Sequence, residues 1–301
     1  MWCHTLRAMP MFCRHNRLTV KCPICSRELA PELGGKPARR PSAPGAPRSR
    51  GGSAPRRAGV VTKKLARAAD DGYRNPLVAG LRATADAERL AAAMMIGAER
   101  LEPPGPYAEV ATEPDVERAA WLAFLLALAG PRDPERQAAL LAAPPALGAV
   151  PDALAQHART ISAYATWAER AGSQETGLTG EPDWSPQRRF ARVYERLALP
   201  GFTRAARFEL LVTLGASGRF ALVPDQLELG AEGDPATTAA KRILQSGDRM
   251  LLERRARDLC AACAVPLAAL DRALALWGDP EAEIDAAEEL PAAMRSALAL
   301  R

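Results

Sequence analysis

One short segment of this 301-residue chain combines a tight turn with basic residues, as phosphate recognition requires. It reads Leu-Pro-Gly-Phe-Thr-Arg over positions 199–204, between two apolar helical patterns. Proline followed by glycine favours a tight turn, and such a turn before a helix can direct backbone N–H groups at an anion. We therefore expect this segment to contact nucleic-acid phosphates, with DNA as the leading partner. The expected DNA contacts here are Gly201, Thr203, Arg204 and Arg207.

A carboxylate that can act on a bound ligand follows at the start of a later helix. Asp234 precedes Pro235 and an apolar helical pattern, where the helix dipole favours the ionised carboxylate. In that form it can stabilise a cation or accept a proton from an attacking amine. An ordinary N-terminal cap is the alternative role. Lys241 and Arg242 lie two turns further along this helix and are expected either to bind phosphate or to face water.

Cysteines near the start of the chain form a second pattern with chemical meaning. Cys22 and Cys25 have the Cys-x-x-Cys spacing that presents two thiolates on one turn. Tetrahedral zinc needs two more ligands, and four thiolates would leave no position for water. We therefore expect residues 1–30 to fold around a structural Zn²⁺ ion. The candidates for the remaining two ligands are Cys3 and Cys13, with His4 and His15 as alternatives.

Charge is divided unevenly along the chain. Residues 1–75 carry 16 Lys and Arg against 4 Asp and Glu, whereas residues 76–301 carry 24 against 31. A cationic arm attracts phosphates over about a Debye length, while an acidic body must confine such contact to a local basic patch. Residues 31–74 are rich in Pro, Gly, Ser and Arg, which predicts a disordered basic linker. Because no apolar run approaches the roughly 20 residues of a membrane helix, we expect a cytoplasmic protein.

The remaining sequence has helical periodicity and is divided into a lead-in at 75–112 and a larger domain at 113–301. Glu113-Pro114-Asp115 begins a helix that ends at Gly130-Pro131. Its apolar surface is too broad for an exposed helix, so it should lie in the core. No segment requires a sheet, and the predicted fold class is all-α. Further helices are predicted at 86–101, 133–143, 151–171, 186–197, 204–214, 235–245, 248–263 and 266–276, with a polar loop at 172–182.

The order of these segments resembles the helix-hairpin-helix DNA glycosylase superfamily. Residues 121–128 (WLAFLLAL) are similar to its buried early helix, 187–215 to its hairpin unit, and 233–244 (GDPATTAAKRIL) to the helix start that carries its catalytic aspartate. Within the superfamily, the stretches LPGFTRAARFELL, AAKRI, LLERRA and LDRALALWG are most similar to the α-glutamyl/putrescinyl thymine pyrophosphorylases. This resemblance implies that an amine such as glutamate or putrescine replaces pyrophosphate on a hydroxymethylated pyrimidine in DNA. The base would stay attached to its sugar.

Three positions depart from the superfamily pattern. Ala205 stands where bifunctional glycosylases have a nucleophilic lysine, so Schiff-base strand cleavage is not expected. Thr203 replaces the second glycine of the hairpin, which predicts strain in the turn. The catalytic aspartate is displaced along the chain, so Asp225 is an alternative to Asp234.

Other side chains and other functions stay open. An extruded base needs a pocket with aromatic walls, for which Phe124, Tyr164 and Trp167 are candidates, although we expect Phe124 to lie in the core. His157 is expected to be a surface residue, and the pair Cys260-x-x-Cys263 to be core packing. One alternative function is a monofunctional glycosylase that stabilises a sugar cation with its aspartate. The other is a non-catalytic, zinc-containing DNA-binding adaptor.

Overall fold

The computed structural model describes residues 68–285 and 289–300. The predicted zinc module at 1–30 and most of the predicted linker at 31–74 lie outside these ranges. Within them every regular element is helical, which confirms the all-α prediction for this part of the chain. The helices are α1 (Thr84–Glu99), α2 (Ala108–Thr112), α3 (Val116–Ala129), α4 (Pro134–Ala142), a 3-10 helix (Asp152–His157), α5 (Ala158–Ala171), α6 (Gln174–Thr179), α7 (Pro186–Arg196), α8 (Arg204–Ala216), α9 (Pro235–Ile243), α10 (Arg249–Cys263), α11 (Leu267–Trp277) and α12 (Ala292–Leu298).

Helix α3 is central, as its composition predicts. Asp115 caps its N-terminus by accepting a hydrogen bond from the N–H of Glu117 at 2.9 Å, and Gly130 ends it with a φ of 76°. All side chains from Ala119 to Ala129 are buried, so α3 contacts neighbours on every side. Helices α4, α6 and α8 pack directly against it. The C-terminal end of α3 is therefore a fixed wall for whatever lies beside it.

A second set of contacts joins the first and last helices. Helix α11 packs along α1 and α9, and α10 packs against α12. The crossing of α1 and α11 is close, because a Cβ at Gly97 would lie 2.3 Å from the carbonyl oxygen of Ala269. The lead-in helix α1 thus shares one hydrophobic core with the helices of the larger predicted domain.

Two predicted elements differ in the structure. The helix expected at 151–171 is broken, because Leu154 has non-helical dihedral angles (φ −121°, ψ 21°) and a 3-10 helix precedes α5. The polar loop expected at 172–182 contains α6, whose N-terminus is capped by the Ser173 side chain. Helices as short as α6 span too few residues to show a 3.6-residue period, and the sequence signal was lost for that reason.

The consecutive helices α10 and α11 meet at a sharp bend. No single helix of the described residues has the length and apolar composition to cross a membrane. Together α10 and α11 satisfy those two criteria, but they are bent by 106°. Cys260 and Cys263 are buried near the end of α10, where burial raises the pKa of their thiols to about 12 and about 11. Their burial agrees with the prediction of core packing.

Candidate nucleic-acid interface and adjoining cavity

The turn between α7 and α8 is exposed at its tip and fixed at its base. Gly201 has a φ of 77° and follows a proline, as in a type II turn. The N–H of Phe202 closes the turn by donating a hydrogen bond to the carbonyl of Leu199 at 3.0 Å. The Phe202 ring is buried, with its edge towards Phe124 at 5.2 Å between centroids. Thr160 Oγ1 donates a hydrogen bond to the carbonyl of Pro200 at 2.9 Å. The tip is thus held in one position relative to the core.

Thr203 does not strain this turn, so that expectation is wrong. Its φ of −67° and ψ of 161° are ordinary extended values. Its side chain caps α8 by accepting a hydrogen bond from the N–H of Ala206 at 3.2 Å, a role that glycine fills less well. Gly201 and Thr203 are both exposed, and their own N–H groups donate to no group among the described residues. Two backbone donors at the tip therefore remain available to an anion.

Replacing Gly201 by alanine is expected to destabilise the protein. A Cβ at this position would lie 2.6 Å from Thr160 Oγ1, in addition to the positive φ. The positive φ alone costs about 1–2 kcal/mol. Gly218→Ala is the matched control, because Gly218 has a φ of 73° with no atom within 4 Å of the added Cβ. Urea unfolding should show the larger loss for Gly201→Ala, and equal losses would contradict the contact with Thr160.

The structure places Arg204 in the protein interior rather than at the surface. Its side chain is 3% exposed and lies between two carboxylates, with Nε 2.9 Å from Asp234 Oδ1 and Nη1 2.8 Å from Asp271 Oδ1. Nη1 also donates to the carbonyl of Leu227 at 2.8 Å. Burial disfavours the charge, but the Asp271 and Asp234 carboxylates outweigh burial and raise the pKa of Arg204. Arg204 therefore positions carboxylates in this structure, in contrast to the phosphate contact expected from its place in the turn.

A cavity of about 350 Å³ lies directly beside the turn, and we call it the carboxylate cavity. Its walls come from the end of α3, the turn itself, the start of α9 and the outer side of α11. Asp234 and Asp271 both line it, as do Gly201 and Thr203. His157, expected at the surface, is half-buried in this wall, and burial followed by the charge of Arg136 lowers its pKa.

The aromatic candidates lie elsewhere. Phe124 and Tyr164 are fully buried and stacked with ring centroids 3.8 Å apart, which confirms the core prediction for Phe124. Trp167 packs against Tyr164 at 5.3 Å. Among the described residues no Phe, Tyr or Trp side chain lines the carboxylate cavity, whose apolar walls are formed mainly by alanine and proline.

The two cavity carboxylates differ in how their oxygens are used. Asp234 Oδ2 accepts a hydrogen bond from the N–H of Thr237 at 2.7 Å and caps α9, while Oδ1 contacts Arg204. Both oxygens of Asp234 are therefore engaged, and Asp234 has the role of N-terminal cap that the sequence analysis gave as the alternative. Asp271 uses Oδ1 for Arg204, and its Oδ2 makes no hydrogen bond within the described part of the chain. Burial raises the pKa of Asp271, and the nearby Asp234 carboxylate raises it further.

Asp271 is the functional candidate that sequence reasoning missed. Its signal was the charged pair Asp271-Arg272 inside the otherwise apolar helix α11. Asp225, the alternative to Asp234, is exposed in the loop after α8 and lines neither this cavity nor the groove described next.

An open groove of about 630 Å³ adjoins the cavity, because Arg204 lines both; we call it the basic groove. Arg207 and Lys241 line it, so the structure brings these two predicted phosphate contacts together. The Arg207 guanidinium lies over the Tyr194 ring at 4.3 Å, and its buried Nε makes no hydrogen bond. Arg249 on the same groove pairs with Glu228 at 2.6 Å. Arg242 is exposed and lines a separate pocket near Gly80.

The described residues form an all-helical fold with an exposed interhelical turn between a basic groove and a carboxylate cavity. No family model matches the chain, and neither a curated protein nor a solved structure is similar enough to count as a match. Over the described ranges no cluster of three His, Cys, Asp or Glu residues is arranged to hold a metal ion. The four predicted zinc ligands, Cys3, Cys13, Cys22 and Cys25, lie outside those ranges.

Proposed function

We propose that this protein binds DNA at the turn and the basic groove and modifies an extruded pyrimidine in the carboxylate cavity. One observation carries the proposal: an exposed turn with unused N–H donors borders a cavity whose Asp271 carboxylate has an unused oxygen. Backbone donors suit phosphates, whereas a carboxylate away from bulk water suits proton transfer. A duplex base must leave the stack to reach such a group.

The reaction we propose is the one that the family resemblance implies. An amine nitrogen attacks the methylene carbon of a pyrophosphorylated hydroxymethyl-pyrimidine. The carbon–oxygen bond to pyrophosphate breaks, and its electron pair leaves with the pyrophosphate. Asp271 accepts the proton that the nitrogen must lose, and Arg204 with Asp234 fixes the orientation of the Asp271 carboxylate. The bond between base and sugar stays intact.

DNA affinity would come from two sources. Arg207 and Lys241 in the basic groove are placed to follow a phosphate backbone from the turn. The basic residues of the 1–75 segment add attraction that is independent of sequence and weakens with salt.

The function is tested by incubating the full chain with duplex DNA that carries pyrophosphorylated hydroxymethyluracil, together with glutamate or putrescine. Mass spectrometry of the digested nucleosides should show the amine adduct, with release of pyrophosphate. Abasic sites would instead identify a monofunctional glycosylase. DNA retention without chemistry would identify an adaptor and contradict the proposed reaction.

We also propose that residues 1–30 bind one structural Zn²⁺ through Cys3, Cys13, Cys22 and Cys25. So short a segment buries too little apolar surface to fold alone, and metal binding supplies the folding free energy. Purified protein should contain about one equivalent of zinc by elemental analysis. Replacing Cys22 and Cys25 by serine should remove it, while replacing the buried Cys260 and Cys263 should not. Metal-free wild-type protein with an unchanged circular dichroism spectrum would refute this.

A further inference from the structure

Arg272 is a cation without a counter-ion on the wall of the carboxylate cavity. Its Nε is buried and makes no hydrogen bond, and its guanidinium forms no ion pair with any described residue. Burial lowers the pKa of Arg272, and the charge of Arg100 lowers it further. A half-buried guanidinium is costly to leave unpaired, and arginine side chains in that position normally contact an anion.

The carboxylates around Arg272 are already engaged by other arginines. Glu209 accepts two hydrogen bonds from Arg100, one of them from Nη1 at 3.0 Å. The remaining neighbour, Asp271, directs Oδ1 at Arg204. Arg272 therefore forms no ion pair with either of these carboxylates.

We propose that Arg272 binds an oxyanion, a phosphate or carboxylate group, on a small molecule that enters the carboxylate cavity. A guanidinium offers planar, bidentate donors to such a group. Arg132 and His157 line the same cavity and add polar groups to its wall. The volume of about 350 Å³ admits a small molecule and lies in the range of ligand pockets.

This inference deepens the proposed function, because it assigns an anionic co-substrate or leaving group to the cavity that receives the base. Asp271 and Arg272 line the same cavity, which therefore presents both a proton acceptor and an oxyanion site. The oxyanion site does not require DNA, and the two proposals can therefore fail separately.

The test is binding of inorganic phosphate, pyrophosphate and succinate to the full chain without DNA, by calorimetry at constant ionic strength. Arg272→Met should weaken binding of the tightest of these anions by about tenfold or more, since methionine cannot make the charge-assisted hydrogen bonds of the guanidinium. Arg272→Lys should restore part of the affinity. Arg254→Met is the matched control, because Arg254 is exposed and lines neither the carboxylate cavity nor the basic groove.

The melting temperatures of wild type and Arg272→Met distinguish a binding role of Arg272 from a structural one. With no partner to lose, Arg272→Met should unfold at the same or a higher temperature than wild type when no anion is present. Phosphate should then raise the melting temperature of wild type and not of the variant. The inference would be overturned by absence of anion binding, by equal binding to Arg272→Met, or by loss of binding in Arg254→Met. Transfer to DNA with no anion effect at Arg272 would leave the proposed function standing without it.

Discussion

Arg204→Met is expected to lower the free energy of unfolding by about 3–5 kcal/mol, the loss seen when one partner of a buried ion pair is removed. The guanidinium is buried and contacts Asp234, Asp271 and the carbonyl of Leu227. Methionine has a similar length but leaves two buried carboxylates without a cation. Urea unfolding monitored by circular dichroism measures the loss.

The pH dependence of this loss identifies its cause. Without Arg204, the pKa of Asp271 in the folded state should rise further above its unfolded value. Between those values the folded state binds more protons, so the stability of the variant should increase as the pH falls from 7 towards 5. Adding Asp234→Asn and Asp271→Asn should recover most of the lost stability, and this triple variant also serves if Arg204→Met fails to fold.

Arg254→Met is the control, since Arg254 is 75% exposed and lies 4.0 Å from Asp258. Surface changes of this kind alter stability by about 0.5 kcal/mol or less. A loss below about 1 kcal/mol for Arg204→Met would mean that the buried cluster does not position the carboxylates.

Asp271→Asn is expected to reduce the rate of amine transfer by about 10²–10⁴-fold, the usual contribution of a general base. The amide keeps the shape of the side chain and a contact with Arg204, but it cannot accept a proton. Because the pKa of Asp271 is raised, the wild-type rate should increase with pH through that raised value. The variant should lose this acid-side inflection. Single-turnover rates measured across pH give both results.

Asp225→Asn provides the matched control for this experiment. Asp225 is exposed and lies outside both the cavity and the groove, so its replacement should leave the rate unchanged. A large decrease in the transfer rate of Asp225→Asn, with no decrease for Asp271→Asn, would show that the catalytic carboxylate lies in the loop after α8.

Local signals in the sequence predicted much of the fold. The prediction of the central helix α3 was correct because Asp115 and Gly130 mark its ends and its apolar composition fits only a core position. The prediction of the turn was correct because Pro200 and Gly201 have the dihedral preferences of a type II turn. Such features depend on neighbouring residues alone, so a single sequence contains them.

The site could be predicted only in part, because its central contacts join distant segments. The residues next to Arg204 in the sequence predicted a phosphate contact for it. In the structure Arg204 pairs with Asp271 of α11 instead, and the two side chains meet because α8 and α11 border one cavity. The sequence predicted that Asp234 begins a helix, but it did not predict the ion pair of Asp234 with Arg204. The absence of an ion pair at Arg272 could not be predicted either, since it depends on which arginines Glu209 and Asp271 contact.

Photocrosslinking tests the central claim most directly. A duplex that contains a diazirine-substituted uracil, whose carbene inserts into the C–H bonds of any side chain, is irradiated with the full chain, and the crosslinked peptides are mapped by mass spectrometry. If the base enters the carboxylate cavity, crosslinks should fall on the walls at 127–132 and 271–275 and should disappear when a small-molecule ligand fills the cavity. Crosslinks confined to residues 1–67, with none in the cavity walls, would contradict the account.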